Sequence, residues 1–247
     1  MNIYRFSFLS LFATLFAVVL AFSSCSDEIE EADFDFGYEY FPTTIGLGNV
    51  YQVDSTIYNF FSDSVYVHSW QVQEVITQED VDAEGRPRFR VEQRKREDNS
   101  PWTGITPKIW YSIRTDQVAE RLEDNLRFLK LVFPAKEGEQ WFGNSYIDTE
   151  EAAFVGFDDW LYRIVEEGES KTVGGLTYDK TLTVNQNDFS NLQQKIYAEE
   201  IYAEGIGLVY KEYQDLKLQA SSLPAIEEVP WPGRSNDGVF VSWTRLE

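Results

Sequence analysis

Apolar and polar residues alternate with a period of two over most of the chain beyond residue 47, which is the pattern of half-buried β-strands. Gly174-Gly175 and Glu204-Gly205 separate such segments and mark tight turns between neighbouring strands. The pattern predicts strands over residues 50–58, 64–77, 87–97, 108–114, 125–133, 160–166, 176–186, 195–203, 207–218 and 239–246.

Residues 115–130 carry two conflicting patterns. One is helical, with apolar residues three or four positions apart at Val118, Leu122, Leu126 and Leu129. The other is the alternation typical of a strand over residues 125–133, which Pro134 ends. We favour the strand, preceded by a loose turn or by one helical turn.

The predicted strands are separated by short turns, and helical segments do not alternate with them. A mainly β fold follows: a curved antiparallel sheet, barrel-like or sandwich, with little helix beyond the N-terminal signal peptide described below. The chain has 247 residues and shows no repeat with a period of 20 to 50 residues. Residues 40–247 are therefore predicted to form a single β-rich domain.

The first 24 residues have the hydropathy of a cleaved export signal. A short start with one positive charge precedes an almost wholly apolar run from Phe6 to Phe22, which is short for a membrane-spanning helix. The segment Phe22-Ser23-Ser24-Cys25 resembles the lipobox of bacterial lipoproteins. This resemblance implies a lipoprotein signal peptide over residues 1–24, and a mature chain anchored in the membrane through fatty chains such as palmitate on Cys25.

The residues that follow the cysteine are acidic. The segment Ser26-Asp27-Glu28-Ile29-Glu30-Glu31 resembles the export tag of Bacteroidota surface lipoproteins. That resemblance implies an outer-membrane protein that is lipid-anchored and faces the extracellular side. Because carboxylates dominate and branched apolar residues are scarce, residues 25–39 are predicted to form a flexible acidic tether.

The body of the chain resembles uncharacterised outer-membrane lipoproteins of Bacteroidota. The resemblance rests on three groups of motifs: Tyr40-Phe41-Pro42 with Val53-Asp54-Ser55, Leu131-Val132-Phe133-Pro134 with Trp141-Phe142-Gly143-Asn144, and Tyr202-Ala203-Glu204-Gly205-Ile206-Gly207-Leu208-Val209. These motifs span most of the mature chain. The resemblance implies an outer-membrane location and one coherent fold. It does not imply any particular activity.

Charge and cysteine content restrict the possible partners. The 21 Lys and Arg against 42 Asp and Glu give a formal net charge of −21, which repels nucleic acid. We therefore predict no nucleic-acid partner and membrane contact only through the lipid anchor. Cys25 is the one cysteine, so its lipidation leaves no thiol for disulfides or redox chemistry.

The sequence predicts no catalytic residue, no metal site and no cofactor. His68 is the one histidine, it lies in a predicted strand, and no Gly-x-Ser-x-Gly motif is present. One histidine and a lipidated cysteine do not supply the three or four ligands of zinc. Residues 80–85 begin like a calcium loop, but Val91 occupies the twelfth position, where a glutamate is needed.

An acid pair is the strongest candidate for hydrolytic chemistry. Asp158-Asp159 precedes Trp160, and carboxylates beside an aromatic ring suit contact with a sugar. The alternative interpretation is a turn that opens a strand, and we favour it.

One predicted strand is unusually basic. Five arginines share one parity and would project from one face: Arg86, Arg88, Arg90, Arg94 and Arg96. They could form a docking stripe for an anionic partner such as an acidic glycan or a lipopolysaccharide phosphate. They could instead form cross-strand ion pairs with the acidic residues of the preceding strand, Glu74, Glu79, Asp80 and Asp82, and we favour this second interpretation.

Three tryptophans, Trp102, Trp141 and Trp231, lie in predicted loops that contain Pro or Gly. Such residues can stack on sugar rings or anchor a protein interface. They can also fold back to cap the sheet.

These observations together predict a surface-anchored outer-membrane lipoprotein with a non-enzymatic role in binding or in a complex. The expected partner is another outer-membrane protein or an extracellular glycan. The alternative is a carboxylate-dependent polysaccharide hydrolase.

Overall fold

A computed structural model describes residues 34–98, 100–151, 154–219 and 229–246, with the backbone alone at residues 103–106 and 155. The chain divides into two units, Met1–Phe34 and Asp35–Glu247. The second unit contains all of the elements described below. Cys25 and the predicted signal peptide lie outside the described residues.

The described residues form twelve strands, which alternate in direction along the chain. They are β1 (Gly48–Asn59), β2 (Ser64–Val81), β3 (Pro87–Arg96), β4 (Thr103–Arg114), β5 (Val118–Glu123), β6 (Leu126–Val132), β7 (Gln140–Phe142), β8 (Leu161–Val173), β9 (Leu176–Ser190), β10 (Gln194–Ala203), β11 (Gly207–Lys217) and β12 (Asp237–Arg245). Two short 3-10 turns, Tyr38–Tyr40 and Val155–Phe157, are the helical elements among these residues.

All twelve strands belong to one sheet, in the order β6-β5-β4-β3-β2-β1-β12-β11-β10-β9-β8-β7. Every pairing is antiparallel, and β1 pairs with β12. The sheet curls into a nearly closed barrel. The predicted mainly β fold with a curved antiparallel sheet is therefore confirmed, and it takes the barrel form.

The two edge strands, β6 and β7, meet at a narrow seam. The Leu129 backbone N–H donates to the Gly143 carbonyl at 2.8 Å, and the indole N–H of Trp141 donates to the Leu129 carbonyl at 2.8 Å. Gly143 packs directly against the Tyr162 ring, where an added Cβ would lie 2.3 Å from ring carbons. Only glycine allows this approach.

Residues 115–130 differ from the prediction. They form strand β5 and the first part of β6, so the expected loose or helical turn over residues 118–123 is wrong. Asp124 and Asn125 make the connection with φ values of 52° and 68°, which is the conformation of a two-residue type I′ hairpin turn. Apolar residues occupy both faces of this hairpin. Some of them therefore fall three or four positions apart by chance, which imitates the spacing of a helix.

A segment before β1 covers one end of the barrel. Tyr40 and Phe41 are buried there, and the Arg114 guanidinium donates to the carbonyls of Tyr38 and Phe41 at 3.0 and 3.1 Å. We call this end of the barrel the closed end. Residues 35–39, which the sequence assigns to the tether, thus belong to the folded body.

Aromatic side chains explain why this segment folds. The Phe36 and Tyr38 rings stack at 5.4 Å, and the Tyr38 ring meets Phe133 edge-on at 4.8 Å. These ring contacts stabilise the folded conformation of the segment, although its acidic composition by itself favours a flexible tether.

Candidate functional site

Four charged side chains from four strands meet inside the barrel. Lys130 Nζ lies 2.8 Å from Glu200 Oε1 and 3.4 Å from Glu123 Oε1. Lys211 Nζ lies 3.6 Å from Glu123 Oε2 and 3.8 Å from Glu200 Oε1. Each lysine contacts both glutamates, and Glu200 is only 1% exposed. We call these four residues the charge cluster.

The charged forms of Glu123, Glu200 and Lys130 are favoured in spite of burial. Burial by itself would raise the pKa of Glu123, but Lys130, Lys211 and Arg121 outweigh burial and lower this pKa to about 2. The pKa of Glu200 is also lowered, because Lys130 and Lys211 outweigh its burial. Burial would lower the pKa of Lys130, and the two carboxylates raise it instead.

A second ion pair extends the charged interior towards β2. Arg121 Nη2 donates to Glu74 Oε2 at 2.5 Å, and Arg121 Nη1 donates to Ser112 Oγ at 3.1 Å. Burial would lower the pKa of Arg121, but Glu74 and Glu123 outweigh burial and raise it. The Arg121 guanidinium also lies 5.5 Å from the Trp110 ring centre. Buried cations and carboxylates therefore pair throughout this interior.

Three spaces surround the charge cluster. The inner cavity, about 70 Å³, lies between the cluster and Phe41 at the closed end. The side pocket lies beside strands β9 to β12 and has a volume of about 270 Å³. The mouth opens between Trp70 and Lys108 and has a volume of about 580 Å³. Glu123 and Trp243 line all three spaces. The interior of the barrel is therefore partly hollow around the charges.

Aromatic rings form one wall of the side pocket. Phe128 meets Phe157 at 6.2 Å, Phe157 meets Trp160 at 5.4 Å, and Trp160 meets Tyr213 at 6.2 Å between ring centres. We call these four rings the aromatic wall. Phe128, Phe157 and Tyr213 are half-buried, so the pocket is open to solvent.

Gln186 is the unusual polar residue of the side pocket. Its side chain is 5% exposed, and its amide Nε2 has no hydrogen-bond partner within the described part of the chain. Asn185 and Asn187 pair with Glu199 and Ala198 of β10, so Gln186 is the extra residue of a β-bulge. Bulges redirect side chains and occur often beside functional sites.

Lys130 also lies at a bulge. Its neighbours Leu129 and Leu131 pair with Glu120 and Ala119 of β5, which leaves Lys130 without an opposite residue. An amide and an ammonium group of the same interior thus lie at bulges on two different strands.

Among the five predicted arginines, Arg94 lines the mouth, and the other four line none of the three spaces. Arg86 lies in the β2–β3 turn, where it contacts Asp82 at 2.8 Å and Glu120 at 3.1 Å. Arg88 contacts Asp80 at 2.7 Å. Of the four acidic partners proposed for the arginines, Asp80 and Asp82 make these contacts.

The other predicted arginines pair differently. Arg90 and Arg94 contact Glu92 of their own strand at 3.3 and 3.9 Å, and Arg96 donates to Gln71 Oε1 at 2.7 Å. Glu74, which we expected among their partners, pairs with Arg121 instead. Docking of an anionic partner on these arginines stays a prediction.

The three predicted binding tryptophans lie in different surroundings. Trp141 is in strand β7 and not in a loop, and it is 7% exposed. The Trp141 ring fills the core and its N–H closes the barrel seam, as expected of a tryptophan that folds back onto the sheet. Trp102 and Trp231 do lie in loops, half-buried, with the guanidinium groups of Arg96 and Arg234 each 4.3 Å from the ring centre.

The remaining candidates lie outside the barrel interior. His68 is exposed on β2, with Nε2 3.2 Å from Glu97 Oε1. Asp82 accepts hydrogen bonds from the backbone N–H groups of Glu84 and Arg86 and so caps a turn. Asp158 and Asp159 are exposed in the loop before β8, and the Asp158 carboxylate accepts a hydrogen bond from Thr149.

Two further findings concern metals and membranes. Among the described residues, no three His, Cys, Asp or Glu side chains are grouped closely enough to hold a metal ion. Within the same residues, no helix has the length and apolar character needed to cross a membrane.

Sequence analysis did not identify the residues of the interior site: Glu123, Lys130, Gln186, Glu200 and Lys211. One signal was available for Glu200, because it shares the parity of Ala198 and Tyr202 in its strand. A charged residue on the apolar face of a strand indicates a buried polar site. The same signal was available for Gln186, which shares the parity of Leu182 and Val184, but not for Lys130, because its strand has apolar residues at both parities.

Comparison with known proteins gives limited similarity. No protein-family model matches the chain, and no curated protein matches it. A solved structure of a Bacteroides fragilis protein, described as a "putative exported protein with YMCC-like fold", is similar at 10% sequence identity with a TM-score of 0.37. The match covers 87% of this chain and 100% of that chain.

Proposed function

We propose that this protein is a non-enzymatic binding protein of the bacterial cell surface, held at the outer membrane by lipid on Cys25, which takes a small ligand into its barrel. The observation that carries this proposal is the hollow interior around the charge cluster. A barrel interior that serves stability alone is expected to be filled with side chains.

The energetics of the charge cluster support a functional role. Replacing buried ion pairs by apolar residues is often neutral or stabilising by about 1–4 kcal/mol. Selection for stability alone therefore does not explain four paired charges beside open space. Fixed charges and aromatic rings that line an accessible pocket are the usual composition of a ligand site.

The charge cluster also favours binding over the alternative, a carboxylate-dependent hydrolase. Glu123 and Glu200 both lie within 3.4 Å of the same Lys130 Nζ, so the two carboxylates are close together. Glycoside hydrolysis needs one carboxyl with a raised pKa to act as the acid. Both of these carboxyls have a lowered pKa.

Filling the side pocket tests interior binding. Val241 lines the side pocket, whereas Val239, two residues away on β12, lines none of the three spaces. A panel of neutral, cationic, anionic and aromatic small molecules is screened by thermal unfolding of the full chain. We expect at least one class to raise Tm in the wild type and in Val239→Phe, and not in Val241→Phe. An equal response in Val241→Phe, or no response to any class, would refute interior binding.

The anchor has its own test. Cys25→Ala removes the acceptor for fatty chains, so we expect the protein to leave the membrane fraction, since stable anchoring depends on those chains. The measurement is fractionation of cells that produce the wild type or the variant. A Cys25→Ala protein that still sediments with outer membranes would contradict the anchoring proposal.

A further inference from the structure

We infer that the side pocket is a binding site for one neutral sugar ring, which stacks on the aromatic wall and hydrogen-bonds to Gln186. This inference rests on the proposed function, since it names the class of ligand that the barrel takes. Four properties of the pocket lead to it.

The first property is the unpartnered amide. A buried polar group without a hydrogen-bond partner costs free energy, so its retention calls for a partner that arrives with the ligand. Gln186 lines the side pocket, and it shares the parity of the buried Leu182 and Val184 in β9. An amide both donates and accepts hydrogen bonds, as a hydroxyl group does, so the two are complementary. A purely apolar ligand would leave Gln186 unpaired.

The second property is the shape of the aromatic wall. Adjacent rings are inclined by 74°, 55° and 31° to one another, so they form one curved surface. A planar heterocycle gains most from two parallel rings that enclose it. A sugar ring presents a C–H face on one side and hydroxyl groups at its edges, and it therefore suits a single apolar wall that faces polar groups.

The third property is the charge balance. The charged residues that line the side pocket are Glu123, Lys130, Lys211 and Glu212. The first three are paired within the charge cluster, and Glu212 accepts hydrogen bonds from Tyr210 and Gln214. The two lysines are already balanced by Glu123 and Glu200, so Glu212 is a carboxylate of the pocket that only neutral groups contact. An anionic ligand would meet this carboxylate and would have to disrupt the lysine pairs, whereas neutral hydroxyl groups can use the remaining lone pairs of the carboxylates.

The fourth property is size. An apolar cavity of about 150 Å³ holds a benzene ring, and the side pocket has about 270 Å³. This space suits one sugar ring with its hydroxyl groups. A longer glycan would have to leave the pocket through the opening beside the half-buried Phe128 and Tyr213.

The decisive variants are Gln186→Leu and its matched control Gln214→Leu. Gln214 is also a buried glutamine with an unpartnered amide atom, and it does not line the side pocket. It donates to Glu212, which keeps its hydrogen bond from Tyr210 in the variant. Binding is measured on the full chain by calorimetric titration with glucose, galactose, mannose and N-acetylglucosamine. The comparison ligands are glucuronate, glucosamine, benzyl alcohol and adenine.

We expect saturable binding of at least one neutral sugar in the wild type, weakened at least ten-fold in Gln186→Leu and within two-fold of wild type in Gln214→Leu. Gln186→Leu should also raise Tm in the absence of ligand, because it removes an unpaired buried amide. This rise distinguishes loss of a ligand contact from loss of the fold.

Three results would overturn the inference. One is that a charged, apolar or heterocyclic compound binds in the side pocket while no neutral sugar does, which leaves the proposed function intact. Another is sugar binding that Gln186→Leu does not weaken. The third is that no compound binds and Val241→Phe behaves as the wild type, in which case the proposed function fails as well.

Discussion

At the scale of single residues, Lys130 joins the two carboxylates of the charge cluster. It contacts Glu123 and Glu200 together, of which Glu200 is buried and Glu123 is half-buried. Tyr202 adds a hydrogen bond of 2.5 Å to the other oxygen of Glu200. Because removing one member of a buried ion pair leaves an uncompensated charge, the effect of a substitution at Lys130 should greatly exceed that of an exposed lysine.

Lys130→Met tests this expectation. The variant keeps the length and the apolar stem of the side chain and removes the charge. We expect unfolding free energy to fall by about 3–5 kcal/mol, measured by urea denaturation. Lys180→Met is the matched control, since Lys180 pairs with Glu204 at 3.0 Å on the exposed surface, and little change is expected there. Equal losses in the two variants would contradict a structural role for the charge cluster.

At the scale of elements, the β6–β7 seam is the weak point of the barrel. β7 has only three residues, and the seam depends on the hydrogen bonds between Leu129, Gly143 and Trp141. Every other pair of neighbouring strands is joined by an antiparallel ladder, several of them with a β-bulge. Closure of the barrel therefore depends on the close approach of Gly143 to Tyr162.

Gly143→Ala should open this seam. The added methyl group would lie 2.3 Å from the Tyr162 ring, so the ring or the backbone must move, at a cost of about 1–3 kcal/mol. Gly156→Ala is the control, because Gly156 has no atom within 4 Å of an added Cβ. Hydrogen exchange should report faster exchange at the Leu129 amide in Gly143→Ala alone. Unchanged protection of that amide would show that the seam does not depend on this glycine.

At the scale of the whole molecule, the charge cluster makes stability depend on pH. A carboxyl whose pKa is lower in the folded than in the unfolded state stabilises the fold while ionised. For Glu123 this contribution is fully present above about pH 4.5 and is lost as pH falls towards about 2. Lys130 has a raised pKa, so its contribution is present below about pH 10.5 and is lost as pH rises further.

Acid denaturation therefore provides a test. We expect the urea midpoint of the wild type to fall steeply between pH 4.5 and pH 3, and the fall to be shallower in Glu123→Gln, which cannot gain that proton. The comparison between the two proteins cancels the titration of the many surface carboxylates. Parallel curves would show that Glu123 does not carry the acid sensitivity.

The regular strands were predictable from the sequence, because alternation with a period of two is a local property. Segments 50–58 and 176–186 lie wholly within β1 and β9, and segment 207–218 extends one residue beyond β11. The β5–β6 hairpin was not predictable in the same way, since Val118, Leu122, Leu126 and Leu129 fit a helix as well as two strands. The Asp124-Asn125 turn, which decides between them, has no distinctive glycine.

The sequence by itself determined a strand-rich, acidic chain without the histidine and cysteine content of common catalytic and metal sites. It did not determine the interior site. Glu123, Lys130, Glu200 and Lys211 come from four strands, and only the order of those strands around the barrel brings the four side chains together. Lys130 and Gln186 continue the alternation of Phe128 and Val184, and they face the same pocket only because β6 and β9, which are distant in sequence, both border it. Tertiary structure decided the site, because side-chain direction in a sheet follows register, and register is a property of strand pairs.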